Sequence, residues 1–237
     1  MRLRGILKEN SDGNKIIADN NSLLVFDKTS NHCNVYLKRS NRQERHWPYN
    51  LHILRLLLRM VINSSNNGAL LHASSLEYNG DGYIFIGRGG SGKSTVARLL
   101  EPQRILSDDV TVIRKNINRY ELFANPWWNY DKDIKIELPQ KPATLKAVFF
   151  INKANKTSFK RLSYKKALRE MMYGDAIFQQ AGFFDNKSGI RSFYLFSLNL
   201  IKDIPMFELS VKKDRFFHDR FQEFISSYFQ EGQRNHQ

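Results

Sequence analysis

The chain has 237 residues, 41% of them hydrophobic, and a formal net charge of +14; that is material for one domain with a buried core and a small appendage at most. A single cysteine, Cys33, excludes an internal disulfide and a cysteine-based zinc site. The longest apolar stretch, Leu51–Ile62, is broken by Arg55 and Arg59 and falls short of the roughly 20 apolar residues of a membrane span. The polar sequence after Met1-Arg2-Leu3-Arg4 has no signal-peptide pattern, so a cytoplasmic protein without a membrane partner is expected.

In chain order, residues 1–47 read as short strands with turns. Ser22–Phe26 and Asn34–Leu37 are the strongest of these, and Asp12-Gly13-Asn14 is a turn. Pro48 opens an apolar-periodic helix to about Ile62, with Leu51, Leu54, Leu58 and Val61 on one stripe. Ala69–Ala73 is a strand, and Asn79–Gly82 turns the chain into a second apolar run, Tyr83–Ile86, readable as a buried parallel strand. Arg104–Ser107 and Val110–Ile113 are further strands around Asp108-Asp109, and Pro126–Asp131 is a loop holding Trp127 and Trp128. Thr144–Ile151 is too apolar for a sheet edge. Ser163–Tyr173 is a helix capped by Ser163, with more helix over Ile177–Phe184 and Ile190–Ile201. Met206–Val211 is a strand. A closing helix over Asp214–Phe229 carries Phe217, Phe221, Phe224 and Tyr228 on one side. Strands first and alternation afterwards predict an α/β domain with a mixed sheet.

Residues 87–94 form a complete phosphate-binding loop: Gly87, Arg88, Gly89, Gly90, Ser91, Gly92, Lys93 and Ser94 match G-x-x-x-x-G-K-[ST]. The glycines let backbone N–H groups close around a β-phosphate. The ammonium of Lys93 reaches the β- and γ-phosphates, and the Ser94 hydroxyl suits Mg²⁺. Thr95 opens the following helix, whose positive end faces the same anion. Arg88 and Ser91 fill positions that the pattern leaves free. An apolar strand before the loop and a helix after it are the context that marks such a site, so a nucleoside triphosphate or another phosphate compound, with Mg²⁺, is the expected ligand; ATP, ADP and pyrophosphate all remain open as phosphate donor.

Two further elements bear on chemistry. Asp108 and Asp109 follow an apolar strand shortly after Lys93, where a second acidic motif sits if that strand lies beside the loop strand. Carboxylates there hold Mg²⁺ or take the proton of an attacking hydroxyl, whereas a plain turn dipeptide is the structural alternative. His72 stands at the end of the strand preceding the loop strand, and ligands of α/β sheets gather at carboxyl ends. The positive charge is concentrated: Lys153, Lys156, Lys160, Arg161, Lys165, Lys166 and Arg169 stand against Glu170 alone. Such a face suits nucleic acid, an acidic protein or ATP itself. No zinc-finger spacing or aromatic RNA-binding signature accompanies it, so nucleic acid is not the expected partner.

Leu71-His72-Ala73-Ser74, then Ile84–Thr95, then Leu106-Ser107-Asp108-Asp109 resembles the HPr kinase/phosphorylase family, in particular its short single-domain kinase branch, which shares the phosphoenolpyruvate-carboxykinase type of P-loop fold. Asn125-Pro126-Trp127-Trp128, Leu145–Phe150 and Ile204–Leu209 resemble later parts of the same pattern. The resemblance implies that Lys93 contacts the phosphates, that Ser94 with help from Asp108 holds Mg²⁺, that Asp109 is the general base toward the accepting hydroxyl, and that His72 lies near the transferred group. It implies an ATP-dependent serine kinase whose acceptor is a small protein or precursor peptide. Kinases of free serine belong to the same branch, and a nucleotide-binding regulator without catalysis is the alternative from another class. The Glu-containing signature of the bifunctional members has no counterpart, and about 47 residues replace their N-terminal domain. The expected organisation is a β-rich segment, 1–47, packed on a P-loop kinase-like domain, 48–230, with a disordered tail over 231–237. Homo-oligomers are compatible with all of this.

Overall fold

A computed structural model describes residues 6–9, 15–18, 22–27, 32–37, 62, 67–100, 104–125, 141–174, 176 and 187–234. The chain divides into two compact units, Met1–Ser65 with Gln179–Arg191, and Asn66–Phe178 with Ser192–Gln237. The first unit holds an antiparallel meander in the order β1-β2-β3-β4, made of β1 (Ile6–Glu9), β2 (Lys15–Ala18), β3 (Ser22–Asp27) and β4 (His32–Leu37). The two strands expected from sequence are β3 and β4. The turn expected at Asp12–Asn14, most of the helix expected over Pro48–Ile62, and the boundary at Pro48 lie outside the described residues.

The second unit is built on one mixed sheet. Its strands are β5 (Gly68–Tyr78), β6 (Asp81–Ile86), β7 (Arg104–Ser107), β8 (Val110–Asn116), β9 (Arg119–Phe123), β10 (Ala143–Lys153), β11 (Ser158–Arg161) and β12 (Met206–Val211). The order is β11-β12-β10-β6-β5-β8-β9; β7 pairs with β5, and β9 also meets the start of β10. That last pairing closes β6, β5, β8, β9 and β10 into a ring. Strand β10 runs parallel to both β6 and β12, while every other pairing is antiparallel. The mixed α/β architecture expected from the order of elements is therefore present.

The turn joining β5 to β6 shows how sequence sets this register. Asn79 and Gly80 have φ of 51° and 85°, and Tyr78 pairs with Asp81. Positive φ at both central residues of a two-residue hairpin is what Asn-Gly supplies at little cost. Ala73 then falls opposite Ile86, so the middle of β5 lies level with the end of the loop strand.

Helices cover both faces of the sheet. Helices α1 (Lys93–Leu99) and α4 (Phe217–Arg234) supply Val96, Ala97, Phe217 and Phe221 to a core with Tyr83, Phe85, Phe149 and Phe207. Helices α2 (Tyr164–Tyr173) and α3 (Lys187–Asp203) supply Ala167, Met171, Phe196 and Leu200 to a second core with Leu71, Ile84, Val148 and Phe150. Strand alternation divides β10 between them: Ala147, Phe149 and Ile151 face one core, Val148 and Phe150 the other. Each fully buried large apolar side chain contributes about 1.5–3 kcal/mol, and the Phe149 ring stacks on Phe85 and Phe207 at 5.4 and 5.3 Å between centroids. Ser163 caps α2 as expected, its hydroxyl accepting from the Lys166 N–H. Helix α4 runs to Arg234, past the start of the tail expected from residue 231. The helix expected over Ile177–Phe184 and the Trp127-Trp128 loop lie outside the described residues. Among the described residues no helix is long and apolar enough to cross a membrane.

Candidate functional site

The buried strand β6 ends at Ile86 and delivers the chain into Gly87. A Cβ at Gly87 would lie 2.5 Å from Ser91 Oγ and 3.0 Å from the Ile151 carbonyl oxygen, so only glycine lets the loop fold back this tightly. The Ser91 N–H donates to the Arg88 carbonyl at 2.9 Å. Gly90 and Gly92 have φ of 75° and 104°, left-handed backbone that side chains disfavour. Gly92 caps α1, and the Val96 N–H donates back to its carbonyl.

Two observations bear on whether this loop suits a phosphate. The ammonium of Lys93, 8% exposed, donates to the Gly87 and Arg88 carbonyls at 2.6 and 3.3 Å, so a cation is folded into the loop itself. The Ser91 hydroxyl is buried with no hydrogen-bond partner among the described residues. A concave backbone that excludes a Cβ, an inward ammonium and an orphan hydroxyl fit an anion with several acceptor oxygens. Ser94 and Thr95 are half-buried on the first turn of α1, while Arg88, Gly89 and Gly90 are exposed.

The acidic pair sits at the corner between β7 and β8. Strand β7 pairs with β5 and not with the loop strand, so the condition of a strand directly beside the loop strand is not met. His72 is likewise mid-strand in β5 and not at a strand end. Because β5 runs antiparallel to β6, its middle arrives level with the start of the loop. There His72 Nε2 lies 3.5 Å from Asp109 Oδ1, with side chains 30% and 14% exposed. The corner is held firmly. The Ala73 N–H donates to the Asp109 carbonyl at 3.1 Å, Ser107 Oγ donates to the Val110 carbonyl at 2.6 Å, and Asn125 Nδ2 donates to that same carbonyl at 2.6 Å. Asp108 is buried beside it. The sequence pairs His72 with Asp109 only through long-range strand pairing, and the clamp supplied by Asn125 has no local signature. Helix α1 packs on β5 and so joins the loop to the strand that carries His72.

A cleft of about 680 Å³ opens on the other flank of the loop. It lies at the carboxyl ends of β6 and β10, beside Glu208 in the middle of β12, between loop residues 87–91 and α2. Phe150 and Leu162 are apolar lining; Asn152, Lys153, Arg169 and Glu208 are polar lining. Lys166 Nζ donates to Glu208 Oε2 at 2.6 Å, and Asn152 Nδ2 reaches Oε1 at 3.4 Å. The Lys166 ammonium holds the Glu208 carboxyl below the usual carboxylate range, against a smaller opposing effect of burial. Part of the basic stretch 153–169 thus borders the loop. Glu208 is a site candidate that sequence reasoning missed, because its only signal is a charge inside an apolar strand.

Comparison with known proteins fits the chain to one family. The model of the SynChlorMet cassette protein ScmC family matches residues 37–230. The chain belongs to that family. No curated protein matches it. A solved structure, the Hpr(Ser) kinase/phosphatase from Coxiella burnetii, is similar at 10% identity with a TM-score of 0.41, over 70% of this chain and 99% of that one.

Proposed function

We propose that this ScmC-family protein is a cytoplasmic phosphotransferase that moves the γ-phosphoryl group of ATP to a serine hydroxyl of a small protein or peptide. The observation that supports it is the His72–Asp109 pair, set by strand register at the level where the phosphate loop begins. A carboxylate placed there is suited to general-base work.

In the proposed step the serine oxygen forms a bond to the γ-phosphorus as the bond from that phosphorus to the β,γ-bridging oxygen breaks. The serine proton passes to Asp109, and ADP leaves with the bridging oxygen. Lys93 would exchange its loop carbonyls for phosphate oxygens and, with the loop N–H groups, oppose the charge of the transferring group. His72 would orient Asp109. The described residues contain no group of three His, Cys, Asp or Glu side chains able to hold a metal. Ser94 and Asp108 would hold Mg²⁺, which would supply positive charge against the phosphates.

The test is incubation with γ-labelled ATP, Mg²⁺ and serine-containing candidate peptides, followed by location of the label. Label on serine supports the kinase. Tight ATP binding with no transfer to any hydroxyl acceptor would favour a nucleotide-binding regulator.

A further inference from the structure

The cleft beside α2 has a place in this reading, and the direction of transfer decides which. Phosphoryl transfer is roughly in line, so attacking and leaving oxygens lie on opposite sides of the γ-phosphorus. The base must stand on the acceptor's side. Asp109 and His72 are carried on the β5 side of the loop strand, whereas the cleft lies on its β10 and β12 side. The leaving nucleotide must then extend toward the cleft. We infer, on the basis of the phosphotransferase reading, that the cleft between the phosphate loop and α2 is the nucleoside subsite, with Glu208 accepting a hydrogen bond from a ribose hydroxyl and Tyr173 lying against the base.

Position, size and lining agree. Ligands of α/β sheets gather at strand carboxyl ends, and β6 and β10, which run parallel, both end at this cleft, with Glu208 of β12 beside them. A volume of about 680 Å³ is ample for a base and ribose. Phe150 and Leu162 offer an apolar floor, while Tyr173, 88% exposed on the last turn of α2, presents a ring without a core to pack in. Glu208 supplies the polar group that a ribose would need. Its carboxylate, fixed by Lys166 and Asn152, is the group that sugar hydroxyls seek. Lys153 and Arg169 at the rim suit the remaining phosphate charge.

The experiment is calorimetric titration of the whole protein, with Mg²⁺, by ATP, 2′,3′-dideoxy-ATP and inorganic tripolyphosphate. Wild type binds ATP about tenfold or more tighter than the dideoxy analogue, the size of a hydrogen bond to a charged group. Glu208→Gln, which keeps the side chain's shape but leaves only a neutral acceptor, narrows that preference to a few-fold and leaves tripolyphosphate affinity unchanged. Tyr173→Ala, at an exposed position, weakens both nucleotides about five- to tenfold and again spares tripolyphosphate. If tripolyphosphate and ATP bind wild type equally, or both variants bind ATP as wild type does, the nucleoside subsite is overturned while the phosphotransferase reading stands. If those variants keep ATP affinity but lose transfer to a peptide, the cleft holds the acceptor. A wild-type protein that binds neither ATP nor tripolyphosphate overturns the phosphotransferase reading and the subsite with it.

Discussion

His72 Nε2 and Asp109 Oδ1 face each other at 3.5 Å, each on a backbone segment tied to the other by the Ala73 N–H to Asp109 carbonyl bond. In the proposed phosphotransferase the imidazole would orient the carboxylate and the carboxylate would take the proton. Asp109→Asn keeps the side chain's size and its reach to His72 but removes its basicity. Transfer from ATP should fall by about 10²–10⁴-fold, with ATP affinity within about twofold of wild type by calorimetry. Undiminished transfer would remove Asp109 from the role of base.

The loop makes a sharper steric prediction. At Gly87 a methyl group would meet Ser91 Oγ and the Ile151 carbonyl, whereas at Gly89 it meets nothing within 4 Å and φ is not positive. Gly87→Ala should therefore destabilise the protein by about 1–3 kcal/mol and abolish measurable ATP binding. Gly89→Ala should leave the unfolding midpoint unchanged. Denaturant titration of the two variants side by side checks this, and equal midpoints would contradict the backbone geometry of the loop.

How much of this was legible in the sequence depends on the range of the interaction concerned. Gly87–Ser94 could be read directly because glycine positions, Lys93 and Ser94 answer to local backbone needs. The Ser163 cap, the central placement of β10 and the Phe217-Phe221-Phe224 stripe of α4 follow from local pattern as well. The partner of β7 could not be read, since nothing in Arg104–Ser107 says that it pairs with β5 and not β6. Strand β11 went unread because Ser-Phe-Lys-Arg has one apolar residue to mark it. The cleft was invisible for the same reason as Glu208's part in it: its walls come from β10, β12 and α2, brought together only by packing.

Lys115 and Asp203 tie the β8–β9 hairpin to the end of α3, Nζ to Oδ2 at 2.8 Å, with the Tyr120 hydroxyl donating to the same oxygen at 3.2 Å. The Lys115 bond holds the Asp203 carboxyl below its ordinary range, and the bond to Asp203 in turn raises the Lys115 ammonium. A depressed carboxyl contributes stability above its unfolded pKa and loses it as pH falls through the folded value. A raised ammonium contributes below its unfolded pKa and loses it as pH rises through the folded value. Both are present at neutral pH. With each side chain about a third exposed (34% and 38%), the pair is worth about 0.2–1 kcal/mol. Asp203→Asn should lower Tm by about 0.4–4 °C at pH 7, and the gap to wild type should close as pH falls below the ordinary carboxyl value of 3.8. A gap that stays constant down to the acid limit would show that the charge pair contributes nothing.

Ile117, in the turn between β8 and β9, has φ of 46° and is 87% exposed. A β-branched side chain in left-handed backbone is a true outlier, and the cost of that conformation is about 1–2 kcal/mol per residue. Exposure means that the side chain returns little by burial, and the hairpin register Asn116↔Arg119 keeps the turn in place. Glycine at this position removes the clash with its own backbone but widens the unfolded ensemble, which cancels part of the gain. Ile117→Gly should therefore stabilise the protein by about 0.5–1 kcal/mol, and Ile117→Asn, which tolerates the same region while keeping a side chain, by a similar amount. On the scale for a chain of this length, Tm rises by about 1–4 °C, with phosphate-loop ligand affinity unchanged because the turn touches none of it. A fall in Tm for both variants would mean that residue 117 does not hold left-handed backbone in solution.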